Sequence, residues 1–321
     1  MRRLYLIAAS LALIAMVCAY LLGRAQPDAA SSLPPRVAHR SAGDLAAEKP
    51  TPAQRSARSA PLPVHGTRLE SVFSDLQARA DAGDLAAATR LYRDLSLCGR
   101  FRAMDWSNTL LADALLSGPV DAMAPVQLEN YKAQLDAIES RKQNMQRLHV
   151  LCDGTDAGML DSLVPNLQKA ALLGEAHARA CYVAVGPNYD ARALLRHPQW
   201  LDGYRRSVSS LIDAGMAAGD WKIVDILRSA YQPGAEGLLS GVLGSDPDQY
   251  YRYLKLSRLG AGPGDSDTLD QQLAAAAAQL PAERLAEADD WAQTTFRRNF
   301  NGSHSAESTV AGWDACAFPD Q

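Results

Sequence analysis

Three short stretches of this chain share one pattern. "ADAGD" (80–84), "ALLGE" (171–175) and "MAAGD" (216–220) each run Ala or Met, two residues, Gly, acid. Glycine takes the left-handed backbone that ends a helix without a Cβ penalty, and an acid after it caps the helix that follows. The pattern predicts a sharp corner between two helices at Gly83–Asp84, Gly174–Glu175 and Gly219–Asp220. Ala86, Ala87, Ala176 and Ala178 follow the first two corners, small enough for paired helices to approach closely. The corner glycines stand 91 and 45 residues apart, nearly two periods and one, and the copy due near residue 128 is absent.

Apolar spacing supplies the helices on either side. Leu69, Val72, Phe73 and Leu76 form one stripe, and Ala88, Leu91, Leu95 and Cys98 a second, at the three-and-four spacing of a helix face. Between Ala124 and Cys152 the residues Leu128, Tyr131, Leu135, Ile138, Met145 and Cys152 predict one long helix, interrupted on that face by Lys142 and His149. Further helices are expected near 156–173, 175–185, 199–218, 220–231, 247–259, 267–280 and 282–298. "VGPNYD", "YQPGAEG", "GSDPD" and "GAGPGDSD" punctuate them. No run alternates β-branched residues, so the expected class is all-α: antiparallel helical hairpins in an irregular α-solenoid.

"AALLGEAHARACYVAVGPNYD" resembles the helical hairpin of the Sel-one-like repeats, relatives of the tetratricopeptide repeats, and "RADAGDLAAATRLYRDL" is a looser match. The resemblance covers about sixty to seventy residues in three patches. It implies an α-solenoid that binds partners on a concave surface, with no catalytic residues to carry over.

The N-terminus bears on location. "MRRLYLIAASLALIAMVCAYLLGR" has a basic start and twenty uncharged residues, Leu4 to Gly23. Twenty helical residues rise about 30 Å, the thickness of a hydrocarbon core, whereas a cleavable signal has an apolar run of roughly 7–15 residues. An uncleaved inner-membrane anchor is the expectation, with the body outside the cytoplasm in the periplasm. Cleavage after Ala25, giving a periplasmic or secreted protein, is the alternative. Residues 26–66 hold seven prolines and no aromatic residue, a composition that cannot bury enough surface to offset its entropy, so they read as a disordered linker. The expected division is anchor or signal 1–25, linker 26–66, helical domain 67–300 and tail 301–321, the tail docked through Cys316.

Four cysteines lie beyond the apolar run: Cys98, Cys152, Cys181 and Cys316. In an oxidising compartment an even count invites pairing, and four cysteines allow three connectivities. Cys98 and Cys152 each close a helix on its apolar stripe, in "LSLCG" and "HVLCDG", and are expected to pair. Cys181 with Cys316 follows by elimination.

No catalytic motif stands out. His177 and Cys181, four apart with Glu175 nearby, have a metal-binding spacing but lack a second pair, so an ordinary helix face is expected. "GLLSG" has the wrong spacing for a nucleophile elbow, and "GAGPGDSD" lacks the strand and lysine of a phosphate cradle. Asp289 and Asp290 beside Trp291 are the tempting carboxylate pair for sugar hydrolysis, although Trp291 is expected to pack inward with Ala288 and Phe296. No cofactor or metal is expected.

Charge argues against nucleic acid. The first 25 residues carry three arginines and no acid, and residues 26–66 five basic against three acidic side chains; of the chain's net −4, this leaves −9 for residues 67–321. A phosphate backbone is repelled by such a body, whatever "YYRYLK" (250–255) and "FRRNF" (296–300) contribute locally. In the first of these, Tyr250, Tyr253 and Leu254 are expected in the core, with Arg252 and Lys255 in water. The functional expectation is a non-catalytic scaffold or adaptor that binds another cell-envelope protein. The alternatives are a peptidoglycan-active helical hydrolase with unidentified carboxylates or, if the N-terminus is cleaved, a secreted effector.

Overall fold

The computed structural model describes residues 61–117, 123–262, 266–303 and 314–318, and every regular element among them is helical. In order these are α1 (Leu69–Asp81), α2 (Leu85–Leu116), α3 (Pro125–Cys152), α4 (Ala157–Asp161), α5 (Leu163–Leu172) and α6 (Ala176–Val185). A 3₁₀ turn (Gly186–Asp190) leads to α7 (Ala191–Arg196), α8 (Trp200–Ala217), α9 (Trp221–Tyr231) and α10 (Leu238–Leu243). The last three are α11 (Pro247–Gly260), α12 (Ser266–Ala277) and α13 (Ala282–Asn299). The expected membrane helix Leu4–Gly23 and linker residues 26–60 lie outside the described residues; among those described, no helix is long and apolar enough to cross a membrane.

The three Gly–acid corners close with the same backbone hydrogen bonds. Asp84, Glu175 and Asp220 each donate N–H to the carbonyl five residues back, on Arg79, Ala170 and Gly215, at 3.0 Å. Gly83, Gly174 and Gly219 donate three residues back, to Ala80, Ala171 and Met216, at 3.1–3.2 Å. This double bond pattern satisfies the last carbonyls of a helix and requires a positive φ at the glycine, here +86°, +97° and +70°. The acid then turns to the next helix. Asp84 accepts from the Ala86 and Ala87 amides at 3.0 and 3.2 Å, Glu175 from Ala178, and Asp220 from Lys222 at 3.1 Å. The helix pairs α1–α2, α5–α6 and α8–α9 thus share one corner design.

Packing between pairs follows chain order. α2 lies against α5, α6 against α8 and α9, and α9 against α11, which is covered in turn by α12 and α13. Leu76, Leu91, Leu95, Leu167, Ile223 and Leu256 are fully buried in one core running from α1 to Phe300. At about 2 kcal/mol per buried aliphatic side chain, this core outweighs the propensity of any single helix. A smaller cluster of Tyr251, Leu254, Leu269, Ala276 and Ala288 joins α11, α12 and α13.

Several boundaries differ from the periodicity. The stretch 156–173 breaks at Ser162, where Asp156 caps the five-residue α4 and Ser162 starts the turn into α5. α7 and α10 have six residues each, too short to show a stripe. On α3, which packs chiefly against one neighbour, α2, Met145, Leu148 and Leu151 are buried, while Leu128, Tyr131, Leu135 and Ile138 are half-buried.

On α11 the buried aromatics are Tyr251 and Tyr253, with Tyr250 half-buried. Arg252 is not solvated as expected: its guanidinium lies 5.9 Å over the Trp291 ring. The face carrying Arg252, Lys255 and Arg258 is half-buried, with the Lys255 and Arg258 side chains still 27% and 35% exposed.

The body also begins before Thr67, where composition placed its edge. Arg79 and Arg90 reach back to the carbonyls of Pro61, Pro63 and Val64 at 3.2–3.4 Å, and Leu62 packs on the core. Arg90 is held in turn by Asp94, the pair only 3% and 6% exposed. Burial pushes the Asp94 carboxyl above its usual range even with Arg90 beside it.

Candidate binding groove

A groove of about 1150 Å³ opens between α2, α3, α4, α5 and α7. Met145, Leu148 and Leu163, all buried, form its apolar floor. Among the described residues, Arg100, Arg141, Arg192 and Arg196 stand around it with Asp161 and Asp190 as the lining acids.

The four arginines reach this place from three helices. Arg100 is on α2, where its Nη2 donates to the Tyr189 hydroxyl at 2.6 Å and to the Cys316 carbonyl at 3.2 Å. Its guanidinium also lies 5.6 Å from the Tyr189 ring centre. Arg141 projects from α3, with Nε on its own helix's Ala137 carbonyl at 3.1 Å. Asp190 caps α7 by accepting from the Arg192 and Ala193 amides at 3.1 and 2.9 Å. That cap starts a six-residue helix that places Arg192 and Arg196 on one face, and Arg196 pairs with Asp161.

Two cysteine pairs brace these walls. The Cys98 and Cys152 sulfurs lie 2.09 Å apart; Cys152 closes α3 as expected, but Cys98 does not close its helix, since α2 runs on through Gly99 to Leu116. Those of Cys181 and Cys316 lie 2.04 Å apart, holding the segment 314–318 on α6. The second pair fixes the carbonyl that receives Arg100.

Beside that tail sits an aromatic cluster. His177 stacks on Phe318 with ring centres 4.4 Å apart, and Tyr92 lies 5.5 Å from Phe318. His177 Nε2 is 2.9 Å from the Ala317 carbonyl, so it carries the proton there, and Nδ1 accepts from the Tyr92 hydroxyl at 3.2 Å. Burial lowers the His177 pKa, against the Ala317 carbonyl and Glu175, which favour the charged ring. Burial likewise pushes the Tyr92 phenol far up, so it remains a donor.

The residues singled out from the sequence are placed as follows. Cys181 is bonded to Cys316 and His177 is occupied as above, while Glu175 caps α6. The candidate metal face is therefore spent on structure. Asp289 accepts from the Tyr251 hydroxyl at 3.3 Å and pairs with Lys255 at 3.0 Å. Trp291 meets Tyr253 edge-on at 5.4 Å and packs, with Phe296, on the main core, whereas Ala288 is buried in the smaller cluster of α11, α12 and α13. Gly83, Gly174 and Gly219 with their acids stand at the hairpin corners, not in the groove. None of the four groove arginines stands in a motif of the sequence. "DARALLR", an acid cap followed by arginines four apart, is the one local hint.

The fold and groove define a helical-hairpin protein with an arginine-lined cleft. No protein-family model, no curated protein and no solved structure matches the chain.

Proposed function

We propose that this chain is a non-catalytic adaptor of the cell envelope that binds a protein partner in the arginine-lined groove. The observation that carries the reading is the groove itself, with four arginines facing two acids that are already engaged. Hairpins packed in chain order support an irregular α-solenoid of the Sel-one-like kind, an architecture that presents extended surfaces. Two cysteine pairs at bonding distance support an oxidising compartment, and the apolar run Leu4–Gly23 supplies the anchor that would hold the body in the periplasm.

The test is cross-linking and affinity capture from membranes, with the wild-type chain and Arg141→Glu/Arg192→Glu in parallel. A stable partner lost with the variant supports the reading. Clearing of cell wall in a zymogram, abolished by one Asp or Glu change, defeats it in favour of a hydrolase. The mass of the mature chain decides between the anchor and cleavage after Ala25.

A further inference from the structure

We infer that the groove's occupant is a short acidic peptide segment with apolar residues between its carboxylates; this rests on the adaptor reading above. A guanidinium has five N–H donors in a planar fork that matches a carboxylate. Arg100 spends only Nη2, on Tyr189 and Cys316, and its other donors meet no acceptor among the described residues. Among the described residues Arg141 bonds only its own helix, and the Arg192 side chain meets no acceptor or carboxylate. The two acids that line the groove among the described residues are already engaged, Asp161 with Arg196 and Asp190 as the cap of α7. The ligand must therefore bring the carboxylates.

Charge and size narrow the class. Residues 67–321 carry −9 overall, so the groove inverts the local sign within a repelling body. A long polyanion such as nucleic acid extends into that field, whereas a short peptide is confined to the groove. At about 1150 Å³ the groove exceeds the roughly 300–1,000 Å³ of small-molecule sites. Its floor of Met145, Leu148 and Leu163 takes apolar side chains, Met145 adapting to their shape. An extended peptide sends alternate side chains to opposite faces, so acids can meet the arginine walls while apolar residues reach the floor. Arg100 is held in place before binding, which lowers the ordering cost of the contact.

The experiment is fluorescence polarisation with the full chain in detergent, using a labelled peptide of alternating glutamate and leucine and its glutamine–leucine isostere. A labelled oligothymidylate is the third probe. The expected result is glutamate binding at least about tenfold tighter than glutamine, weakening as salt rises. Arg141→Glu and Arg192→Glu should each lower it by about fivefold or more, with circular dichroism unchanged, and Arg298→Glu on α13 should not. Equal binding of both peptides, equal loss with Arg298→Glu, or tighter binding of the oligothymidylate overturns the inference. A captured partner insensitive to the groove variants overturns it too, while leaving an adaptor role in place; failed capture with the glutamate preference intact counts against the adaptor reading alone.

Discussion

Arg179, on α6, donates a 3.0 Å hydrogen bond to Asp220, the residue that caps α9. The inner helix of one hairpin thereby grips the corner of the next. The first corner is closed differently, from within, by Arg79 on Asp84 at 2.7 Å.

That difference predicts unequal costs at equivalent positions. Arg179 and Asp220 are 8% and 13% exposed, so Asp220→Ala leaves a buried guanidinium unpaired and should cost about 3 kcal/mol. Glu175→Ala removes only a cap, about 1 kcal/mol. Guanidinium unfolding followed by circular dichroism measures both; equal losses would contradict the assignment of Arg179 to Asp220.

The corner glycines should separate in the same way. Both Gly174 and Gly219 have positive φ, so alanine costs about 1 kcal/mol at either. At Gly219 a Cβ would also stand 2.5 Å from the Asn299 carbonyl oxygen, whereas at Gly174 nothing lies within 4 Å. Gly219→Ala should therefore lower the melting temperature clearly more than Gly174→Ala, a comparison one thermal-shift series makes.

Replacing Cys98 and Cys152 together by alanine should destabilise the body by about 4 kcal/mol on the chain-entropy estimate for a 54-residue separation. Unreduced peptide mapping checks the pairing itself. A free thiol at Cys98 in protein from an oxidising compartment would refute it.

Stability should also depend on His177. Its pKa in the fold lies below the ordinary 6.5, because burial and the positions of Lys222 and Arg93 disfavour the charged ring more than Ala317 and Glu175 favour it. The unfolded chain therefore binds the proton more readily, so this contribution is present above pH 6.5 and is lost as pH falls below it toward the folded value. His177→Gln should flatten the melting temperature between pH 7 and 5; an unchanged slope would assign the pH dependence elsewhere.

Local signals account for most of what the chain showed in advance. Gly83, Gly174 and Gly219 end helices because a positive φ is cheap only for glycine, and the acids after them cap because their oxygens reach the next amides without help from the rest of the fold. Long stripes such as Leu91–Leu95–Cys98 were legible for the same reason. Short α7 and α10 were not, since six residues do not complete two turns. On α11, alternating burial of Tyr251 and Tyr253 reflects neighbours on several sides, which no single-helix pattern encodes.

By itself, then, the sequence determined helices, corners and the all-α class, because each depends on residues within a turn or two of one another. The tertiary structure alone decided the groove. Arg100, Arg141, Arg192 and Arg196 come from three helices, and their convergence depends on how α2, α3 and α7 pack. It also depends on a carbonyl of Cys316, 216 residues from the arginine that donates to it. Charge acts through space, and only the fold sets those distances.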